Sequence, residues 1–172
     1  MQSHFALFNL PESYALDRER LDAAYRELQS TVHPDRFAGR PEAEQRVAMQ
    51  WAAQANEAYQ TLKHPVERGV YLLKLRGIDA LDATDTRMAP AFLMQQMEWR
   101  EAIDAARAER SVEALDALTA ELRQAHKAIE ARLGGLLDQD RDIEGAREAV
   151  RQLRFMDKLI AEIGDVYEEL ED

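Results

Sequence analysis

From Ile143 to Leu170 an apolar residue returns at every third or fourth position: Ile143, Ala146, Val150, Leu153, Met156, Ile160, Ile163, Tyr167 and Leu170. This is the period of a helix with one buried stripe, held over roughly eight turns. Such a stripe cannot be buried by its own helix, so the chain must supply partners for it. A matching seam of Leu115, Leu118, Leu122, Ala125, Ile129 and Leu133 predicts a helix from about Val112 to Leu133. Ser111 suits its N-cap, Glu113 its first turn, and Gly134-Gly135 its end. A third pattern from about Pro90 to Ala108 places Phe92, Gln96, Trp99, Ile103 and Ala106 on one side. Three helices joined by short breaks predict an antiparallel three-helix bundle.

The N-terminal half follows the same logic on a shorter scale. Residues 3–10 hold Phe5, Leu7, Phe8 and Leu10, a piece too short to be helical unless it docks. Asp17 suits the N-cap of a helix to Val32, with Leu21, Ala24, Tyr25, Leu28 and Val32 on one face. Arg18, Asp22, Arg26 and Ser30 fall on the opposite face. Pro41 with Glu42 and Glu44 starts a longer helix to Lys63, striped by Val47, Trp51, Ala55, Ala58, Tyr59 and Leu62. His64-Pro65 stops it, and a last segment from Val66 to Leu75 ends at Gly77. Residues 77–88 carry glycine, aspartate and threonine and little apolar content. The expected division is a unit at 1–76, a linker at 77–83 and the bundle at 84–172. With no strand-period segment and no internal repeat, the expected fold class is all-α.

Composition removes several kinds of function. Cysteine is absent, which excludes disulfides, thiolate metal sites, cysteine-held iron–sulfur clusters and thiol catalysis. His4, His33, His64 and His126 pair with no other ligand type at helical metal spacing, and no glycine-rich phosphate loop is present. No metal, nucleotide or other cofactor is therefore expected, and an enzyme reading finds no support. Net charge is −11, and residues 1–76 carry ten Lys/Arg against ten Asp/Glu while 77–172 carry twelve against twenty-three. An acidic half disfavours nucleic acid and anionic membranes as partners. No run reaches membrane-span length and no apolar leader follows basic residues, so a cytoplasmic location is expected; oligomeric state is left open by the sequence, with a monomer favoured.

Between the first two long helices lies Thr31-Val32-His33-Pro34-Asp35-Arg36-Phe37. Proline cannot continue a helix and biases its predecessor toward extended geometry, so His33-Pro34-Asp35 is expected at an exposed hairpin tip. His33 there ends a helix, where a dipole favours an imidazolium, and Asp35 sits on a rigid corner suited to a bidentate arginine. The tripeptide follows Tyr25-Arg26-Glu27-Leu28 and precedes Asn56-Glu57-Ala58-Tyr59, Leu62, Pro65 and Arg68. This arrangement resembles the J domain, the module that stimulates the ATPase of heat-shock chaperones. The resemblance implies a chaperone contact through His33, Pro34, Asp35, Arg26 and Arg36.

In the bundle's first helix Leu93, Met94 and Met97 lie beside the seam, edged by Glu98 and Glu101, and Phe155 is off the seam of the last helix. Spacing leaves two possibilities: a helix buried on two sides, or an apolar docking groove rimmed by acids. The stretches Phe5-Ala6-Leu7-Phe8, Leu10-Pro11, His33 to Phe37, Leu62-Lys63-His64-Pro65, Tyr71-Leu72-Leu73, Phe92-Leu93-Met94 and Leu153 to Leu159 together resemble the HscB family. Its members are J-domain co-chaperones of iron–sulfur cluster assembly. The resemblance implies a bundle that binds an IscU-type scaffold protein through Leu93, Met94, Met97, Glu98, Glu101 and Phe155. It also implies delivery of that scaffold to an HscA-type chaperone ATPase.

Two departures stand out. The family often has a further acid where this chain has Ala105. The helix before the tip is also less basic than in general J proteins, because Asp22 and Glu27 offset Arg18 and Arg26. That should weaken electrostatic steering toward an acidic chaperone surface. The alternatives are a J-domain adaptor for another client and a purely structural helical protein.

Overall fold

The computed structural model describes residues 2–172. Its elements are α1 (His4–Leu7), α2 (Arg18–Val32), a 3-10 turn (Pro34–Phe37), α3 (Glu42–Lys63), α4 (Pro65–Leu75), α5 (Pro90–Ala108), α6 (Val112–Asp138) and α7 (Ile143–Glu171). No strand occurs among the described residues, so the all-α expectation holds.

Helix starts follow the local chemistry of the chain. The Asp17 carboxylate accepts from the Arg20 amide at 3.2 Å, and Ser111 and Asp142 cap α6 and α7 in the same way. Helices α2 and α3 run antiparallel, with Tyr25 stacked on Tyr59 at 4.1 Å between ring centres. Leu21, Ala58 and Leu62 close against Phe5 and Phe8, which is how the short α1 acquires a partner.

Three expectations need correction. Gly134-Gly135 does not end the second bundle helix, because α6 continues to Asp138. A glycine pair costs a helix only about 1 kcal/mol per residue. Continuation buries Leu137 completely and seats Gly134 under the Tyr14 ring, where a Cβ would come within 3.2 Å. Val47 and Trp51 are not core: they are 51% and 40% exposed, while Ala48 is buried. With 22 residues, α3 outlasts the 15 of α2. Around its first turns, α2 and the 3-10 turn cover only one side. Arg18 and Asp22 do not face freely outward either. They pair at 2.8 Å, and the Tyr59 hydroxyl of α3 donates to the same Asp22 oxygen.

The long α6–α7 hairpin is covered in two different ways. Near its open end, Trp99, Ile103 and Ala106 of α5 fill the groove over Leu115, Leu118, Leu122, Met156, Leu159 and Ile163. Near its tip the third side comes from the N-terminal half: Leu133, Leu137, Ala149, Val150 and Leu153 join Leu72, Leu73 and Leu62 in one core. The lengths explain this, since α5 with 19 residues spans about 28 Å and α7 with 29 about 44 Å. Within residues 77–83 the chain is pinned at Ala80, which is fully buried and whose carbonyl accepts from Arg151 Nε at 3.3 Å.

Candidate protein-docking surfaces

The first surface is the tip between α2 and α3. His33 carries φ −58° and ψ 133°, the extended geometry a following proline imposes, and this ends α2. Its ring then caps the next element, since Nδ1 accepts the Asp35 amide at 3.2 Å. Gly39, at φ 81°, turns the chain toward α3 in a conformation that disfavours other residues. Arg26, His33 and Arg36 line one cleft of about 390 Å3 together with Gln29 and Ser30. Pro34 is exposed beside it, and the Asp35 side chain is 92% exposed. A cleft with two guanidinium groups, next to an open carboxylate on a fixed corner, is suited to a partner carrying both signs of charge. The sequence placed Ser30 on the Arg26 face without giving it a part in the tip, and it did not single out Gln29. Their spacing from Arg26 and His33 is one helical face, and that signal was available.

The second surface lies on α5. Leu93, Met94 and Met97 are 47%, 65% and 64% exposed, so burial of this helix on two sides does not occur. The opposite face anchors it: Trp99 and Ile103 are buried, and Trp99 Nε1 donates to Glu121 at 3.2 Å. Glu98 and Glu101 are exposed along the same stretch, and Ala105 is exposed where a further acid could stand. Phe155 of α7 is half-buried and meets Phe92 edge-to-face at 6.1 Å. The Arg100 guanidinium lies 5.4 Å from its ring centre and reaches Glu162 at 3.4 Å. Leu93, Met94 and Met97 thus form an exposed apolar strip on α5 with Glu98 and Glu101 along it, and Phe155 reaches this helix through Phe92 and Arg100. Contiguous apolar surface of this kind, rimmed by charge, is characteristic of protein-docking sites.

Polar groups hold the two surfaces in a fixed relation. The Asp138 carboxylate accepts from the Tyr14 amide at 2.8 Å, the Ala15 amide at 2.9 Å and the Ser13 hydroxyl at 3.2 Å. Arg68 stands 4.8 Å over the Tyr14 ring, and burial pushes that phenol up to about 12. Asp85 accepts from Arg87 and forms ion pairs with Arg147 and Arg151, and Arg87 and Arg151 hold its carboxyl well below the usual range. Asp85 meets Arg147 and Arg151 only through packing, so residue order gives no hint of this network. Among the described residues no group of three or more His, Asp and Glu is arranged to hold a metal ion.

With this geometry established, the similarities to known proteins are specific. A family model described as the HSCB C-terminal oligomerisation domain matches residues 88–164. Over 169 residues the chain is 59% identical to a co-chaperone protein HscB homolog of Burkholderia mallei, covering 98% of this chain and 96% of that protein. Among solved structures it is similar to the chaperone HscB from Vibrio cholerae, with a TM-score of 0.83 and 37% identity, covering 98% of this chain and 99% of that one. The crystal structure of human co-chaperone protein HscB gives a TM-score of 0.88 and 30% identity, covering 95% and 81%.

Proposed function

Since this chain belongs to the HscB co-chaperone family, we propose that it is an adaptor between two proteins in iron–sulfur cluster assembly. A unit at 1–76, a J domain, presents His33, Pro34 and Asp35, flanked by Arg26 and Arg36, to an HscA-type chaperone ATPase. The bundle at 84–172 holds an IscU-type scaffold on Leu93, Met94, Met97, Glu98, Glu101 and Phe155. No covalent chemistry takes place on this chain. It raises turnover in the chaperone by favouring one of the chaperone's conformations. Joining scaffold and chaperone on one body also raises their effective concentration for each other. The adaptor acts in the cytoplasm as a monomer.

The observation that carries this reading is the exposure of three large apolar side chains within five residues of α5, at 47–65% each, beside Glu98 and Glu101. A helix that needed them only for folding would have buried them. Reconstituted ATPase assays with the chaperone and scaffold test both halves. Wild type should raise ATP hydrolysis, His33→Gln should abolish the increase, and Met94→Ala with Phe155→Ala should abolish only the part that depends on scaffold. An unchanged rate with His33→Gln would refute the chaperone contact. Equal scaffold recovery by wild type and the double variant would refute the α5 surface.

A further inference from the structure

Phe155 has a second neighbourhood. Beside it, between α7 and the stretch 81–88, lies a cleft of about 260 Å3. Its apolar walls are Leu81, 42% exposed, and Met88, together with Phe155. On α7, Arg151, Arg154, Phe155 and Lys158 follow one another at helical spacing along its floor.

The charges in this cleft do not cancel. Asp85 is committed to Arg87, Arg147 and Arg151 at 2.9–3.3 Å. Asp82, also on the wall, accepts from the amide and hydroxyl of Thr84 at 2.9 and 2.8 Å and keeps its charge, but the three arginines around Asp85 outnumber both carboxylates. Arg154 is itself paired with Glu67 of α4. Lys158 is exposed at the lip and makes no ion pair among the described residues. The cleft therefore presents apolar walls and an uncompensated cation. The α5 strip, on the other side of the shared Phe155, presents Glu98 and Glu101.

We propose that this cleft is a second subsite of the docking surface, and that it takes an acidic side chain of the scaffold protein. The carboxylate pairs with Lys158, and an aliphatic neighbour rests on Leu81 and Met88. This rests on the docking reading above and adds orientation to it. A partner must bring basic groups to the α5 side of Phe155 and an acid to the Lys158 side, so a reversed pose meets like charges at both ends.

Titration calorimetry with the full chain and the purified scaffold protein, at low and high salt, tests the subsite. Lys158→Glu should weaken binding about tenfold and flatten its salt dependence. Leu81→Asp, on the facing wall, should weaken it in the same direction. Arg46→Glu, the same charge change on α3, serves as the control and should stay within about twofold. Met94→Ala reports on the docking reading itself. If Met94→Ala weakens binding and Lys158→Glu does not, the subsite is overturned and the docking surface stands. If neither weakens it, the docking surface has failed and the subsite with it. Equal weakening by Lys158→Glu and Arg46→Glu would reduce the effect to net charge and overturn the subsite.

Discussion

Gly69 of α4 meets Leu133 of α6 with no space between them: a Cβ on Gly69 would lie 2.9 Å from Leu133 Cδ2 and 3.4 Å from Val150 Cγ2. Leu133 is fully buried and has nowhere to retreat. At this point the last helix of the N-terminal half seats itself in the α6–α7 hairpin. A glycine inside a helix carries a cost of roughly 1 kcal/mol relative to alanine, and here the close approach offsets it. Gly69→Leu should destabilise the chain by about 2–3 kcal/mol through overpacking. Urea titration followed by circular dichroism measures this, and an unchanged midpoint would contradict the seating.

The Asp138 carboxylate collects two amides and a hydroxyl from Ser13, Tyr14 and Ala15. Asp138→Ala leaves the half-buried Tyr14 amide without its partner, while the Ser13 hydroxyl keeps the Ala15 carbonyl, and should cost about 1 kcal/mol. The loss is local before it is global. Hydrogen exchange should accelerate first at Tyr14 and Ala15, with the amides around Trp99 on α5 unaffected. Uniform acceleration along the chain would show that Asp138 does not act as a separate latch.

Helix α5 has two faces with different tasks. Met94→Ala and Met97→Ala remove side chains that are 65% and 64% exposed and should change stability by less than about 0.5 kcal/mol. Trp99→Ala, on the buried face, should cost about 3–5 kcal/mol. Thermal unfolding of the three variants distinguishes the faces. A methionine variant as unstable as Trp99→Ala would mean that the exposed strip belongs to the core.

His126 bridges the bundle, with Nε2 at 2.9 Å from Asp157 on α7 and Nδ1 at 3.0 Å from Glu130 on α6. The Asp157 carboxylate, aided by Glu130, raises its pKa above the ordinary value against the effect of burial. A raised folded-state pKa means the stabilisation is complete below about 6.5 and is lost as pH climbs through the folded value. Wild type should therefore exceed His126→Gln by about 0.5–1 kcal/mol at about pH 5.5, after allowance for solvent screening. The gap should narrow by about pH 8.5. Denaturation midpoints across that range check the sign, and a gap that widens with pH would be the wrong one.

Much of this molecule was legible from residue order. Helix α5 runs from Pro90 to Ala108 as its spacing predicts, and Asp17 and Ser111 cap the helices they precede. Period and capping are properties of a few neighbouring residues, so they survive without knowledge of the fold. The off-seam position of Leu93, Met94 and Met97 was legible for the same reason. What covers a given side of a helix at a given height is a different matter, because the covering element comes from elsewhere in the chain. Trp51 has the right spacing for the core but nothing lies above it. Ala149, Leu159 and Val166 lie off the α7 seam and are buried, because α7 is enclosed by α4, α5 and α6 in turn.

The sequence by itself determined the all-α class, the order and ends of most helices, and an exposed His33-Pro34-Asp35 corner, because these depend on local dihedral preferences and periodicity. Tertiary structure decided three things. It carried α6 through Gly134-Gly135, since burying Leu137 outweighs two glycines. It joined the two halves through one core around Leu133, Val150 and Leu72. It also set Phe155 between Phe92 of α5 and the cleft that Lys158 lines, a relation between residues brought together only by packing.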